Sequence, residues 1–316
     1  MRYFFTLLAS AAAAYVLSFI LTVSTNPEIR VWREVDQRRK SDVAETRAKA
    51  PDQPVIIFTG GSSTAFSIDP AIIEESCGIP AFNFALPASA GPRYLLHQAL
   101  ERTRPGDTLV IGLEADFLAF ESDYPASMFS FGLALLEGEP SATVGGESFG
   151  ERLTLPETLT LSRPGPRYLM TLAYRGALGK GYRYTPQDYQ YHGRMQTPVT
   201  EPGMTPHHIE GELHLSKSGE HLLRTFRNAA QQRGIRLFYA MPWRWTAPEH
   251  AEASRLANAA LLRDIDRIVP VIDDGSRGVS TDRSHFSDSH QHLTAAGSQA
   301  RSRLLADALA GLLSRQ

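Results

Sequence analysis

An open parallel α/β sheet with helices on both faces, behind one N-terminal membrane-spanning helix, is the architecture this sequence predicts. Three observations carry the expectation. Short apolar runs such as 54–59 (PVIIFT) and 107–114 (DTLVIGLE) have the length and composition of strands buried on both faces. Each strand-like run is followed by a helix-like stretch, and such alternation implies right-handed crossovers in a parallel sheet. Residues 3–23 carry no charge, and a helix needs roughly 20 apolar residues to cross a hydrocarbon core.

The membrane segment comes first. A cleavable signal has an apolar core of about 7–15 residues and a small-residue cleavage site. The run here is longer and no such site follows Val23, so an uncleaved anchor over 1–25 is expected. Arg30, Arg33, Arg38, Arg39 and Lys40 follow the run and weigh against export, although long domains translocate largely regardless of flanking charge. The expected placement is a single-pass inner-membrane protein whose domain faces the periplasm or outside. Residues 26–53 are polar and charged and read as a stalk. The remaining 54–316 read as one α/β domain.

Within that domain the first strand is 54–59. Asp69 and Pro70 suit the N-cap and first position of a helix over 71–78. A second strand is expected at 80–85, a helix ending before Pro105, and a third strand at 107–114. From 117 to 215 the alternation fades into Gly, Pro, Tyr and Met, and this part reads as an insertion. Order returns with a helix over 216–234, a strand at 235–242, a helix over 247–267, a strand at 268–274 and a closing helix over 293–315. The chain has 316 residues, 42% of them hydrophobic, enough for one large core. A net charge of -2 gives no reason to expect a nucleic-acid partner, and the single Cys77 excludes an internal disulfide.

Ligand sites in such sheets lie beyond the carboxyl ends of the strands. One end carries GGSSTAFSIDP (60–70), in which four small residues give up packing. A serine on a tight turn there has an exposed hydroxyl, with backbone N–H groups close by to meet an oxyanion; the same residues also serve as a plain turn. Another end carries HFSDSHQHLTAAG (285–297), where an acid and three histidines precede the last helix. A serine nucleophile needs a base within reach, and the base an orienting acid. Each stretch alone is also a solvated polar loop.

Together the two stretches resemble the SGNH (GDSL-like) hydrolase and acyltransferase superfamily, in particular its membrane-anchored cell-envelope branch. The resemblance covers 54–116 and 217–313. It implies a flavodoxin-like sheet, Ser62 as nucleophile with Ser63 as the alternative, and Gly61 where many members have Asp. In NFALPASAG (83–91) it implies Asn83 at a strand end, a candidate oxyanion or substrate contact in place of the missing donor, and a loop donating an oxyanion N–H, with Ala88 at the position of the family's glycine. In HLTAAG it implies His292 as base and Asp288 as acid. The usual acid stands three residues before the histidine, whereas Asp288 stands four before; Asp282 and His285 keep the three-residue spacing and are the rival pair. The family's third-block Asn is replaced in GLEAD, which offers Glu114 and Asp116. By resemblance, the expected activity is acyl-ester hydrolysis or O-acyl transfer on an envelope polysaccharide, with acetyl the first acyl group to consider. A membrane-bound acyl-donor protein would be the partner, and no metal or organic cofactor is needed. The alternative is a catalytically degenerate module that binds glycan or assists a modifying complex.

Other stretches offer less. Trp243 and Arg244 in MPWRWT suit a sugar ring and an anionic group, or simple packing. PHHIEGELH (206–214) has metal-ligating residue types in what reads as a solvated loop. No Gly-rich dinucleotide or phosphate-loop motif is present.

Overall fold

The computed structural model describes residues 1–122, 126–163, 170, 173–174, 176–178, 182–196 and 200–314. Four parallel strands, β1 (Ile56–Gly60), β2 (Ala81–Asn83), β3 (Thr108–Gly112) and β4 (Arg236–Tyr239), form the main sheet in the order β2-β1-β3-β4. The chain runs from β1 outward to β2 and then returns to the other side of β1 as β3. That reversal is a topological switch point, where the strand ends leave a crevice.

Side chains alternate between the two faces, as the pleat requires. Ile57, Leu109, Ile111, Leu237 and Tyr239 join the larger core cluster on one face. Ile56, Phe58, Val110 and Phe238 join a second cluster on the other. The six apolar side chains of β1 and β3 are essentially buried. At about 1.5–3 kcal/mol for each fully buried large side chain, they outweigh the roughly 0.5–1 kcal/mol lost where each strand ends on glycine.

Helices cover both faces. On one lie α4 (Pro70–Cys77) and the closing α12 (Ala295–Leu313); on the other lie α5 (Pro92–Leu100) and α10 (Lys217–Gln232). Helix α4 starts as its sequence suggests: Asp69 accepts from the Ala71 N–H, and Pro70 follows. The expected strand at 268–274 is reduced to a single parallel bridge between Val271 and Tyr239. After it, β5 (Arg244–Trp245) and β6 (Val279–Ser280) form a separate parallel pair, and α11 (Ala251–Asp266) packs beside them.

Residues 26–53, which read as a stalk with helix-like stretches, hold a helix, α2 (Pro27–Lys49), that packs on the domain. It follows α1 (Arg2–Thr25), the one described helix long and apolar enough to span a membrane. Ile29, Trp32, Val35 and Val43 of α2 enter the main core. Two of its arginines are buried with partners. Arg47 pairs with Asp107 at 2.5 Å, and Arg39 donates to the carbonyls of Ala85 at 2.6 Å and Gly193 at 3.2 Å. Burial pushes the Arg39 guanidinium down to about 10.

The expected insertion holds short helices and no described strand: α6 (Ala115–Ala119), α7 (Met128–Leu136), α8 (Gly146–Phe149) and α9 (Leu155–Leu161). Its last part, 182–196, lies across α2, α4 and the mouth of the sheet.

Candidate active site

The turn after β1 explains its four small residues. Gly60 lies so close to β3 that a Cβ there would stand 2.2 Å from the Gly112 carbonyl oxygen. A Cβ on Gly61 would stand 2.1 Å from Oε1 of Glu114. The Glu114 side chain therefore fills the space that an Asp at position 61 would need.

The two serines differ in environment. Ser63 is fully buried, and its hydroxyl donates to Glu114 Oε1 at 2.6 Å while its N–H points to the same oxygen at 3.3 Å. Ser62 is half-buried and heads the short helix α3 (Ser62–Ala65), so its N–H has no intrahelical acceptor. Among the described residues, its hydroxyl has no hydrogen-bond partner. Ser63 is thus tied into the fold, and Ser62 is the serine with an uncommitted hydroxyl.

Glu114 is 5% exposed, and its Oε2 has no hydrogen-bond partner among the described residues. Burial raises its carboxyl above the ordinary range, and the Ser63 hydrogen bonds and the His292 charge only partly offset that. Water-excluded carboxyls of this kind favour the neutral form, whose O–H can donate.

At the other strand ends, Asp288 Oδ1 lies 2.8 Å from His292 Nδ1. The four-residue spacing is absorbed by Ser289, whose hydroxyl oxygen accepts from the N–H groups of Gln291 at 3.2 Å and His292 at 3.1 Å. This turn folds His292 back over its acid. Asp288 also accepts from the Tyr184 hydroxyl at 2.7 Å and from Arg183 at 3.0 Å. Burial alone would raise the Asp288 carboxyl; the hydrogen bond and charge of His292, with Tyr184 and Arg183, outweigh it and hold the group well below the usual carboxylate range. With Nδ1–H directed to the carboxylate, Nε2 is the nitrogen left to accept a proton.

The His292 ring lies against Phe66, tilted by 33° with centroids 4.6 Å apart. Phe66 caps α3, its N–H donating to the Ser62 carbonyl oxygen at 3.1 Å. His292 thus rests on the helical turn that Ser62 begins. The rival pair is placed differently. Asp282 is more than half exposed and 3.5 Å from His285, whose ring stacks on Trp243 rather than near α3.

Asn83 is fully buried. Its amide donates to the carbonyls of Thr64 at 3.0 Å and Ala65 at 3.2 Å, and its oxygen accepts from Ala85. The expected oxyanion role for that amide is corrected: its protons are spent holding α3 against β2. Ala88 opens a short 3-10 turn in the loop after β2, two residues past Leu86, whose N–H donates to the Gly60 carbonyl. Ala88 is not among the residues with positive φ, so alanine needs no strain there.

Trp243 packs with Phe286 and Leu293 in a small core, and its indole N–H donates to Ser276 at 2.9 Å. Arg244 is buried to 8% exposure and bonds Asp116 at 3.0 Å. The Gln291 amide oxygen, turned toward the guanidinium, accepts from it at 2.7 Å. Arg244 is therefore joined to the residue beside His292, while Trp243 faces protein. Sequence reasoning missed Tyr184 and Arg183, which come from the segment it could not assign. In PHHIEGELH, His208 and His214 face nearby carboxylates and are exposed, and among the described residues no three metal-ligating side chains converge.

No protein-family model matches this chain, and a search of curated proteins returned no match.

Proposed function

We propose that the chain is a membrane-anchored, SGNH-like serine esterase or O-acyltransferase acting on acyl esters, with an envelope polysaccharide as the glycan partner. The observation that carries the reading is the buried Asp288–His292 pair at 2.8 Å, with its ring resting on the turn headed by Ser62. A solvated loop with scattered histidines gives neither a buried acid nor a fixed tautomer.

In this mechanism the Ser62 hydroxyl attacks the ester carbonyl carbon while His292 Nε2 takes its proton. The carbonyl π electrons move to oxygen, and the N–H groups of Ser62 and Ala88 stabilise the oxyanion. Collapse breaks the bond to the alcohol, which receives the proton from His292. A glycan hydroxyl or water then attacks the acyl-serine, again deprotonated by His292. General-base help of this kind is worth about 10²–10⁴-fold. Glu114, whose carboxyl burial shifts upward, stands where the family's Asn donor would and keeps Ser63 in place. A membrane-bound protein supplying the acyl group is the partner this reading implies, and a periplasmic or outer-facing domain is its setting.

A serine-directed fluorophosphonate probe tests the reading on the full chain in membranes. Labelling should appear, vanish in Ser62→Ala and persist in Ser63→Ala. Transfer from an acyl donor to a glycan acceptor should follow the same pattern. A folded protein that neither labels nor transfers would leave the second reading, a glycan-binding module without catalysis. That reading is favoured by the commitment of Asn83 to the fold and by a Ser62 hydroxyl without a hydrogen-bond partner among the described residues.

A further inference from the structure

The membrane segment and the insertion meet at an unexpected depth. Every residue of α1 up to Ala14 is exposed, and protein contact starts at Tyr15. The Tyr15 hydroxyl donates to the Leu159 carbonyl and lies 3.0 Å from Ser162 Oγ, both at the end of α9. One turn further on, Phe19 meets Phe131 of α7, ring centroids 5.7 Å apart. Residues 2–14 alone reach only about 20 Å at 1.5 Å per residue. A hydrocarbon core is about 30 Å thick. If α1 spans, the stretch from Tyr15 toward Leu21 must also lie in the core, together with whatever is fastened to it.

We propose that α9 and the apolar edge of α7 form a platform immersed in the leaflet on the side of the domain, with phospholipid acyl chains as its partner. The surface chemistry of this part fits lipid. Leu155 and Leu159, one helical turn apart, are 72% and 51% exposed. Leu135 and Leu136 at the end of α7 are also exposed. Met170, Tyr174 and Leu178 are further exposed apolar side chains, of the kind an interfacial surface presents to lipid.

The polar groups of α9 are suited to low water. The hydroxyls of Thr158, Thr160 and Ser162 donate back to the carbonyls of Thr154, Pro156 and Leu159. Thr154 and Glu157 close a capping box, with the Thr154 N–H donating at 2.8 Å and its hydroxyl at 2.7 Å to the carboxylate. Unpaired backbone or hydroxyl groups would be costly in hydrocarbon. Glu157, at the start of the helix, sits at the headgroup end.

The platform bears on the site without depending on its chemistry. A cleft of about 970 Å³ lies between Phe19 and Val23 of α1 and Tyr182 and Tyr184 of the insertion. Tyr184 is the residue that bonds Asp288. Immersion of α9 sets the mouth of this cleft at headgroup level, facing molecules held at the bilayer surface.

The test uses the full chain in phospholipid vesicles, in a Cys77→Ser background, with an environment-sensitive fluorophore on single cysteines. Leu159→Cys probes the platform, Leu155→Cys is a second position should the first label disturb packing, Val16→Cys marks the span, and Leu256→Cys marks the solvated body. Spin-labelled acyl chains should quench positions 159 and 155 to within about twofold of position 16, and leave position 256 unaffected. Quenching at 16 without quenching at 159 and 155 overturns the proposal. Water-like emission at 16 overturns it as well, because the platform rests on α1 being embedded. Neither result touches the serine chemistry, which the fluorophosphonate probe reads separately.

Discussion

Two regions bring a buried carboxylate to the same rim, and the fold treats them oppositely. In the loop before α12, Asp288 is surrounded by donors: His292, Tyr184 and Arg183. In the turn after β3, Glu114 meets only Ser63, and one oxygen has no partner among the described residues. Burial is deep in both cases. The donors set the direction in which each is shifted. Asp288, with side-chain donors from Ser287, Tyr184, Arg183 and His292, is held below the usual carboxylate range. Glu114, with Ser63 as its side-chain donor, is pushed above that range by burial.

The strongest way to break this comparison is to remove the charge at Asp288. Asp288→Asn is expected to lower acyl transfer by about 10²–10⁴-fold, with the fold retained by circular dichroism. A loss below tenfold would mean that His292 is not the base. Glu114→Ala should cost about 1–3 kcal/mol of stability by leaving the Ser63 hydroxyl buried and unpaired, measured by denaturant titration. Glu114→Gln keeps a donor and an acceptor, so its activity should stay within about tenfold of the parent if the neutral form is the working one.

The two carboxylates also predict opposite pH responses. Asp288 titrates below its unfolded value of about 3.9. Its contribution is present above that value and is lost as pH falls through the folded one, so Asp288→Asn should flatten acid unfolding there. Glu114 titrates above its unfolded value of about 4.3. Its contribution is largest below that value and declines as pH rises through the folded one. Glu114→Gln should therefore gain stability relative to the parent at pH 8 more than at pH 4, and an equal change at both would remove the claim of a raised carboxyl. The smallest effect is expected at Tyr184→Phe, which deletes one of several donors to Asp288. About 0.5–1.5 kcal/mol, or a few-fold to tenfold in rate, is the expected cost.

The sheet was legible because its signals are local. Apolar runs, the Asp69–Pro70 start and the small residues at strand ends all act through neighbours in the chain. The helix α2 was misread because sequence patterns treat arginine as solvated. Arg39 and Arg47 are buried and bonded to Ala85, Gly193 and Asp107, partners 46 to 154 residues away. The strand expected at 268–274 kept its place beside Tyr239 but paired through only one bridge. The insertion stayed opaque because its short helices are held by contacts to α1, α2 and the sheet rather than by periodicity of their own.

The amino-acid order by itself determined the apolar segment, the alternation of strands and helices, and the two polar stretches at strand ends, because composition and short spacings are properties of adjacent residues. Only the tertiary structure gives Asp288–His292 and Asp282–His285 different surroundings. Both pairs are within local reach, and burial of one acid under Tyr184 and Arg183, about a hundred residues away in the chain, is what separates them. It likewise decided that Ser63 binds Glu114 and Ser62 does not, since the carboxylate arrives from a different strand.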